Sequence, residues 1–219
     1  MLKLVIFDMD GTIVDSLPYH KKSWQIFAKK HPIKNFEKLL LQKKGGTITE
    51  IMRFMVGKSK SETEIEELGE LKESLFRKIY SDKIEPIKGF IDFLKILKKN
   101  KISISLASNG GHENIKFVMK KLNCNKYFKF KIGGEDVENG KPNPEMFLRV
   151  LELSSLKAKE CLIFEDSIEG IKAGVKAGCK VVGVTTSHKP QKLLSLGCNY
   201  TIDNYQNINL LNEIINSYE

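Results

Sequence analysis

Residues 2–12 constrain this chain more than any other stretch. Leu2-Lys3-Leu4-Val5-Ile6-Phe7 is a short apolar run that ends abruptly in Asp8-Met9-Asp10-Gly11-Thr12. A run of this length and β-branched content reads as a strand buried on both faces, as in a parallel sheet. Its end sets two carboxylates two residues apart, at the edge where open α/β sheets bind ligands. Gly11 lets the backbone turn sharply straight after them. Two acids in such a place repel unless a cation or a proton sits between them. Asp8 and Asp10 therefore read as a site for a divalent metal and a phosphate, with Asp8 attacking the phosphorus.

Composition excludes several classes. At 219 residues, 41% hydrophobic and 29% charged, the chain can bury a full core, in one large domain with an insertion or in two domains. No apolar run approaches the ~20 residues of a membrane span. The first ten residues carry acids and no small-residue cleavage site, so they read as a strand and not a signal peptide. The net charge of +9 is almost wholly lysine, since only Arg53, Arg77 and Arg149 are arginines. The lysines are scattered pairs without interleaved aromatics, which argues for a solvated surface and against nucleic-acid binding. Cys124, Cys161, Cys179 and Cys198 form no metal-binding spacing. They read as reduced thiols of a cytoplasmic protein.

Periodicity divides the chain. Residues 16–84 are helical in pattern, with Trp24, Phe27 and Ala28 on one helix, Ile48, Ile51, Met52 and Met55 on a second, and Ile65, Leu68, Leu71, Leu75 and Ile79 on a third. From Ile87 onward helices alternate with strands predicted near 102–107, 129–132, 161–164, 181–184 and 200–202. Asn143-Pro144 predicts a helix start, with Asn as the N-cap and Pro at the first helical position. The expected fold is α/β, a doubly wound parallel Rossmann-like sheet with an inserted all-helical cap. The expected domains are 1–15 with 85–219 as the core, and 16–84 as the cap, placed as a lid on the ligand side.

Polar residues stand at several predicted strand ends: Asp8 and Asp10, Ser108-Asn109, and Glu165-Asp166, together with Lys141 in Gly140-Lys141-Pro142-Asn143-Pro144. In a parallel sheet such ends lie along one edge. Phosphoryl transfer needs an in-line nucleophile, cations and donors around the nonbridging oxygens, and an acid for the leaving oxygen.

With these motifs, in this order, the chain resembles the haloacid dehalogenase superfamily, and more narrowly its helical-cap phosphatases and β-phosphoglucomutases. The resemblance implies that Asp8 is the nucleophile and a Mg²⁺ ligand, and that Asp10 is the general acid/base with its backbone carbonyl on the metal. Asp166 is then a further ligand, with Glu165 beside it acting through water. Ser108 and Asn109 would hold phosphate oxygens, and Lys141 would offset negative charge. Asp166 has a second reading as a helix cap paired with Glu169, and Asp15 and Ser16 read as a hinge. In the cap, His20 followed by Trp24 matches a pair found in the mutases. Gly45-Gly46-Thr47 resembles the loop that reaches substrate. Thr49 stands where the mutases carry a phosphate-binding arginine, and Arg53 lies one turn further on. Lys72 is a further expected substrate contact.

The leading expectation is a Mg²⁺-dependent phosphatase acting on a small, sugar-phosphate-like metabolite, with no nucleic-acid or membrane partner. A monomer is expected, with a dimer left open. Alternatives are a phosphosugar mutase, a pyrophosphatase, or a non-enzymatic receiver module phosphorylated on aspartate. The length, the helical insertion and the Asp-x-Asp-Gly-Thr order argue against the receiver. A P-loop nucleotide enzyme ranks below the receiver, because five residues, not four, separate Gly134 from Gly140 and proline follows Lys141 where Ser or Thr is required.

Overall fold

A computed structural model describes residues 1–43, 45–57 and 60–218. The described strands, β1 (Leu4–Phe7), β2 (Ser103–Ala107), β3 (Phe130–Ile132), β4 (Cys161–Glu165), β5 (Lys180–Val184) and β6 (Tyr200–Ile202), coincide with the strands read from sequence to within a residue or two. They form one six-stranded sheet in the order β3-β2-β1-β4-β5-β6, with every pairing parallel. The chain reverses direction across the sheet between β1 and β4, which opens a crevice at their carboxyl ends.

β1 explains why the sheet forms where it does. Its side chains alternate between two separate cores. Val5 and Phe7 enter one, with Phe90, Phe93, Phe164 and Tyr205. Leu4 and Ile6 enter the other, with Met146, Phe147, Ile163 and Ile171. A strand covered on both faces must be apolar at every position. Phe7 stacks on Phe164 at 5.0 Å and meets Phe90 edge-on at 5.2 Å, which ties β1, β4 and the helix after the insertion together.

Helices cover both faces: α5 (Phe90–Lys99), α6 (His112–Lys121), α7 (Glu145–Ser154), α8 (Ile168–Lys176), α9 (Pro190–Leu194) and α10 (Ile208–Asn216). The Asn143-Pro144 reading shifts by one residue. Pro144 sits at the cap, the helix opens at Glu145, and Asn143 Oδ1 accepts from Glu145 N at 3.0 Å.

The insertion holds α1 (Leu17–Lys30), α2 (Phe36–Gln42), α3 (Ile48–Val56) and α4 (Glu62–Tyr80). Trp24, Phe27, Met52, Met55 and Ile65 form its own core. Sequence periodicity missed α2, a seven-residue helix with no fully buried side chain. Leu71, expected on the buried stripe of α4, is 47% exposed. It lies off the face defined by Ile65, Gly69, Lys72 and Phe76, because a helix advances 100° per residue. The two connections lie side by side. Val14 bridges Pro86, and Ile87 N donates to Ile13 O at 2.8 Å. Among the described residues no helix is long and apolar enough to cross a membrane.

Candidate active site

The crevice between β1 and β4 gathers the strand-end residues. Asp8 follows β1, and its N–H donates to Phe164 O at 3.0 Å, so β4 fixes its height. Lys141 Nζ donates to Asp8 Oδ1 at 2.6 Å, to Glu165 Oε1 at 2.8 Å and to Ala107 O at 2.8 Å. All three ammonium protons are spent, and the side chain is buried. Glu165 Oε2 accepts from the N–H and hydroxyl of Ser167 at 2.8 and 3.0 Å. Asp166 accepts from Thr12 at 3.4 Å and from Ser187.

Oxygens of Asp8, Glu165 and Asp166 all lie within 4.8 Å of one another, and all three residues are buried. One ammonium cannot neutralise three carboxylates. Burial, only partly opposed by Lys141, raises Asp8 well above the usual carboxylate range, and Glu165, Asp166 and Asp10 push it further. Asp166 is pushed up to about 8, first by burial and then by Glu165. Burial alone would lower Lys141, but Asp8 and Glu165 hold it above its usual value. An excess of buried negative charge on oxygen donors is the environment that a hard divalent cation relieves. The residues present therefore fit such an ion. The helix-cap reading of Asp166 is corrected: Ser167 caps α8, accepting from Gly170 N at 2.9 Å.

Asp10 faces the insertion. Ser16 Oγ donates to Asp10 Oδ1 at 2.5 Å, and His20 Nε2 lies 3.4 Å from the same oxygen. Burial pushes this carboxyl up, but His20 and Ser16 outweigh it and hold Asp10 below its usual range. His20 stacks on Phe76 at 3.7 Å, and its Nδ1 meets Lys72 Nζ at 2.8 Å. An ammonium can only donate, so Nδ1 accepts and Nε2 carries the proton that points at Asp10.

The remaining expected residues are distributed as follows. Ser108 is buried, and its Oγ accepts from Gly110 N at 3.0 Å, which shapes the loop after β2. Asn109 Oδ1 accepts from Lys141 N at 2.9 Å. Thr49 lines a cavity of about 280 Å³ between insertion and core, with Glu73, Arg77, Gly111 and Asn114. Lys72 is buried and directed at His20 and at Glu73, 2.8 Å away, not into that cavity. Arg53 is exposed and paired with Glu62. Sequence reading overlooked Ser187 and the contact from Thr12. The signal for Ser187 was available in Thr185-Thr186-Ser187, a hydroxyl-rich end to β5. It also read Ser16 only as a hinge.

Comparison with known proteins agrees with this geometry. The family model described as haloacid dehalogenase-like hydrolase matches residues 5–184. A phosphorylated carbohydrates phosphatase of Thermotoga maritima is 26% identical over 216 residues, covering 98% of this chain and all of that one. Hexitol phosphatase A of Escherichia coli is 30% identical over 183 residues, covering 82% of this chain and 81% of that one. The crystal structure of a β-phosphoglucomutase from Clostridium difficile superposes with a TM-score of 0.82 at 27% identity, covering 100% of this chain and 99% of the other. Motif order, strand order and these matches coincide: the chain belongs to the haloacid dehalogenase-like hydrolase family.

Proposed function

We propose that this phosphoric monoester hydrolase works through an aspartyl-phosphate on Asp8 and acts on a small, sugar-phosphate-like metabolite. The observation that carries the reading is the meeting of Asp8, Lys141, Glu165 and Asp166 in one buried crevice, with the insertion seated above it.

In the first half-reaction an Asp8 oxygen bonds to phosphorus as the bond from phosphorus to the ester oxygen breaks. Lys141 favours the carboxylate form of Asp8 against the burial that raises it, and Ser108 with the side-chain amide of Asn109 steadies phosphate oxygens. Asp10 delivers a proton to the departing alkoxide. In the second half Asp10 takes a proton from water, the water oxygen bonds to phosphorus, and Asp8 is released with inorganic phosphate. The halves ask opposite protonation states of Asp10. His20 and Ser16 favour the carboxylate, which suits the second half. An arriving phosphate dianion favours the protonated form needed for the first, because like charges repel. Mg²⁺, held by Asp8, Asp166, the Asp10 carbonyl and Glu165 through water, would supply charge neutralisation of the nonbridging oxygens.

The substrate class draws on the carbohydrate and hexitol phosphatases among the relatives. The likeness to a β-phosphoglucomutase supports a second reading, transfer within a phosphosugar. Arg53, engaged with Glu62, supports hydrolysis over that mutase reading. We assign residues 1–15 and 85–219 to the core and 16–84 to the cap, and place this protein in the cytoplasm, a setting that suits its four free buried cysteines.

Asp8→Asn tests the chemistry. Turnover of phosphomonoesters with Mg²⁺ should vanish while the melting temperature is kept. Near wild-type rates in this variant would reject the assignment. The wild type should release inorganic phosphate from hexose phosphates, whereas conversion of glucose 1-phosphate to glucose 6-phosphate without free phosphate would identify a mutase.

A further inference from the structure

We propose that Glu50, in the first turn of α3, is a positioning residue that couples seating of the cap to the placement of Lys141. The inference rests on the reading that Asp8 is the nucleophile and Lys141 its charge partner.

Glu50 has an ordinary local role. It closes a capping box with Thr47: Glu50 N donates to Thr47 Oγ1 at 3.3 Å, and Thr47 N donates to Glu50 Oε2 at 2.7 Å. The same oxygen does something a helix cap does not require. It also accepts from Gly140 N of the core at 3.0 Å. The next peptide is engaged as well. Gly46 N donates to Lys141 O at 2.8 Å, and Lys141 N donates to Asn109 Oδ1 at 2.9 Å. The backbone around Lys141 is therefore clamped by two groups of the cap and one of the core. Its Nζ, at the far end, rests on Asp8.

The approach is too close for side chains. A Cβ on Gly45 would lie 2.5 Å from Lys141 O. A Cβ on Gly140 would lie 2.8 Å from both Glu50 Oε2 and Thr47 N, and 2.9 Å from Asn109 Oδ1. Gly45 and Gly46 hold φ values of +73° and +98°, which glycine adopts without strain. Two bends at glycine and a backbone-to-backbone contact are needed to bring Glu50 onto Gly140.

The physical consequence follows from the partners. A carboxylate accepting two backbone N–H groups makes charge-assisted bonds, stronger than neutral ones. Lifting the cap would strip Gly140 N of its acceptor and Lys141 O of its donor together. The Lys141 backbone would then keep only its bond to Asn109, beside the Asn143 N to Gly140 O turn, and its ammonium would be set less tightly on Asp8. A displacement near 1 Å at a reacting group costs on the order of a hundredfold in rate.

The test measures kcat, KM and melting temperature with Mg²⁺, using whichever of p-nitrophenyl phosphate, glycerol phosphate and glucose 6-phosphate the wild type turns over fastest. Glu50→Ala should lower kcat about tenfold to a hundredfold, with KM changed by less than about threefold. Glu50→Gln keeps an accepting oxygen and should recover kcat to within about fivefold of wild type. Thr47→Ala breaks the helix cap but keeps the bond from Gly140, so it should lower the melting temperature and leave kcat within about twofold. Equal kcat losses in Thr47→Ala and Glu50→Ala would reduce Glu50 to a helix cap and overturn the proposal. So would a Glu50→Ala rate within about twofold of wild type while Asp8→Asn is inactive. If Glu50→Ala does not fold, Gly140→Ala breaks the same contact from the core and should show the same kcat loss; a wild-type rate there overturns the proposal. A wild type inactive on all three esters, or an active Asp8→Asn, instead overturns the reading of the site itself.

Discussion

At the residue scale, two aspartates two positions apart are driven to opposite electrostatic states by their neighbours. Asp8 is buried among carboxylates and is raised, whereas Asp10 sits against Ser16 and His20 and is lowered. The proposed attack by Asp8 therefore needs a bound cation to offset the neighbouring carboxylates and free it of its proton, and the proposed proton transfer by Asp10 works against the pull of His20 and Ser16. His20 therefore carries a prediction of its own. Its loss in His20→Gln removes the main neighbour that opposes burial at Asp10, so the Asp10 pKa rises. Asp10 acts as the acid in the half-reaction that kcat/KM reports, so the descending limb of the kcat/KM–pH profile should move to higher pH, and kcat should fall about tenfold to a hundredfold. An unmoved limb would mean that His20 does not act through Asp10. Both aspartates were legible in the sequence as chemistry, because acids closing an apolar strand have few other uses. Their difference was not, since it depends on Ser16 and His20 returning to them across a turn.

At the element scale, α8 starts where the site ends. Ser167 caps it, Glu165 is bonded to that cap, and Gly170 lies beneath the Glu165 carboxylate. A Cβ at Gly170 would lie 1.6 Å from Glu165 Oε1. Gly170→Ala must therefore displace Glu165 from Lys141. The expected result is a kcat loss of about tenfold or more with a weakened response to Mg²⁺, read from a metal titration of activity. Helix propensity alone predicts the opposite for stability, since alanine favours a helix over glycine by about 1 kcal/mol. Elements were easier to read from sequence than the contacts between them. The four longer described strands, β1, β2, β4 and β5, follow from apolar runs, and α4 from a long repeating stripe. Helix α2 escaped because a short helix that buries no side chain fully leaves little periodic trace.

At the scale of the whole molecule, the sheet brings together acids that the chain keeps far apart, at a cost that depends on pH. Asp166 has an ordinary value of 3.8 and lies near 8 in the folded protein. Between those values the folded state keeps a proton that the unfolded chain has lost, so this group makes metal-free stability fall as pH rises from about 4 to about 8. Protons must leave before a cation can bind the carboxylates. Thermal denaturation should accordingly show Mg²⁺ raising the melting temperature more at pH 8 than at pH 5; an equal gain at both would place the metal elsewhere. By itself the sequence determined the strand set, the parallel α/β class, the helical insertion and which strand-end polar residues gather in the crevice. These follow from periodicity and from polar residues at strand ends, which are local properties of a chain. Only the tertiary structure decided that Lys72 sits behind His20, that Arg53 faces Glu62, and that Ser187 bonds to Asp166 and Glu50 to Gly140. Those choices depend on how the insertion seats on the core and on the register between distant strands, and a side chain's neighbours across such a gap leave no periodicity in the sequence.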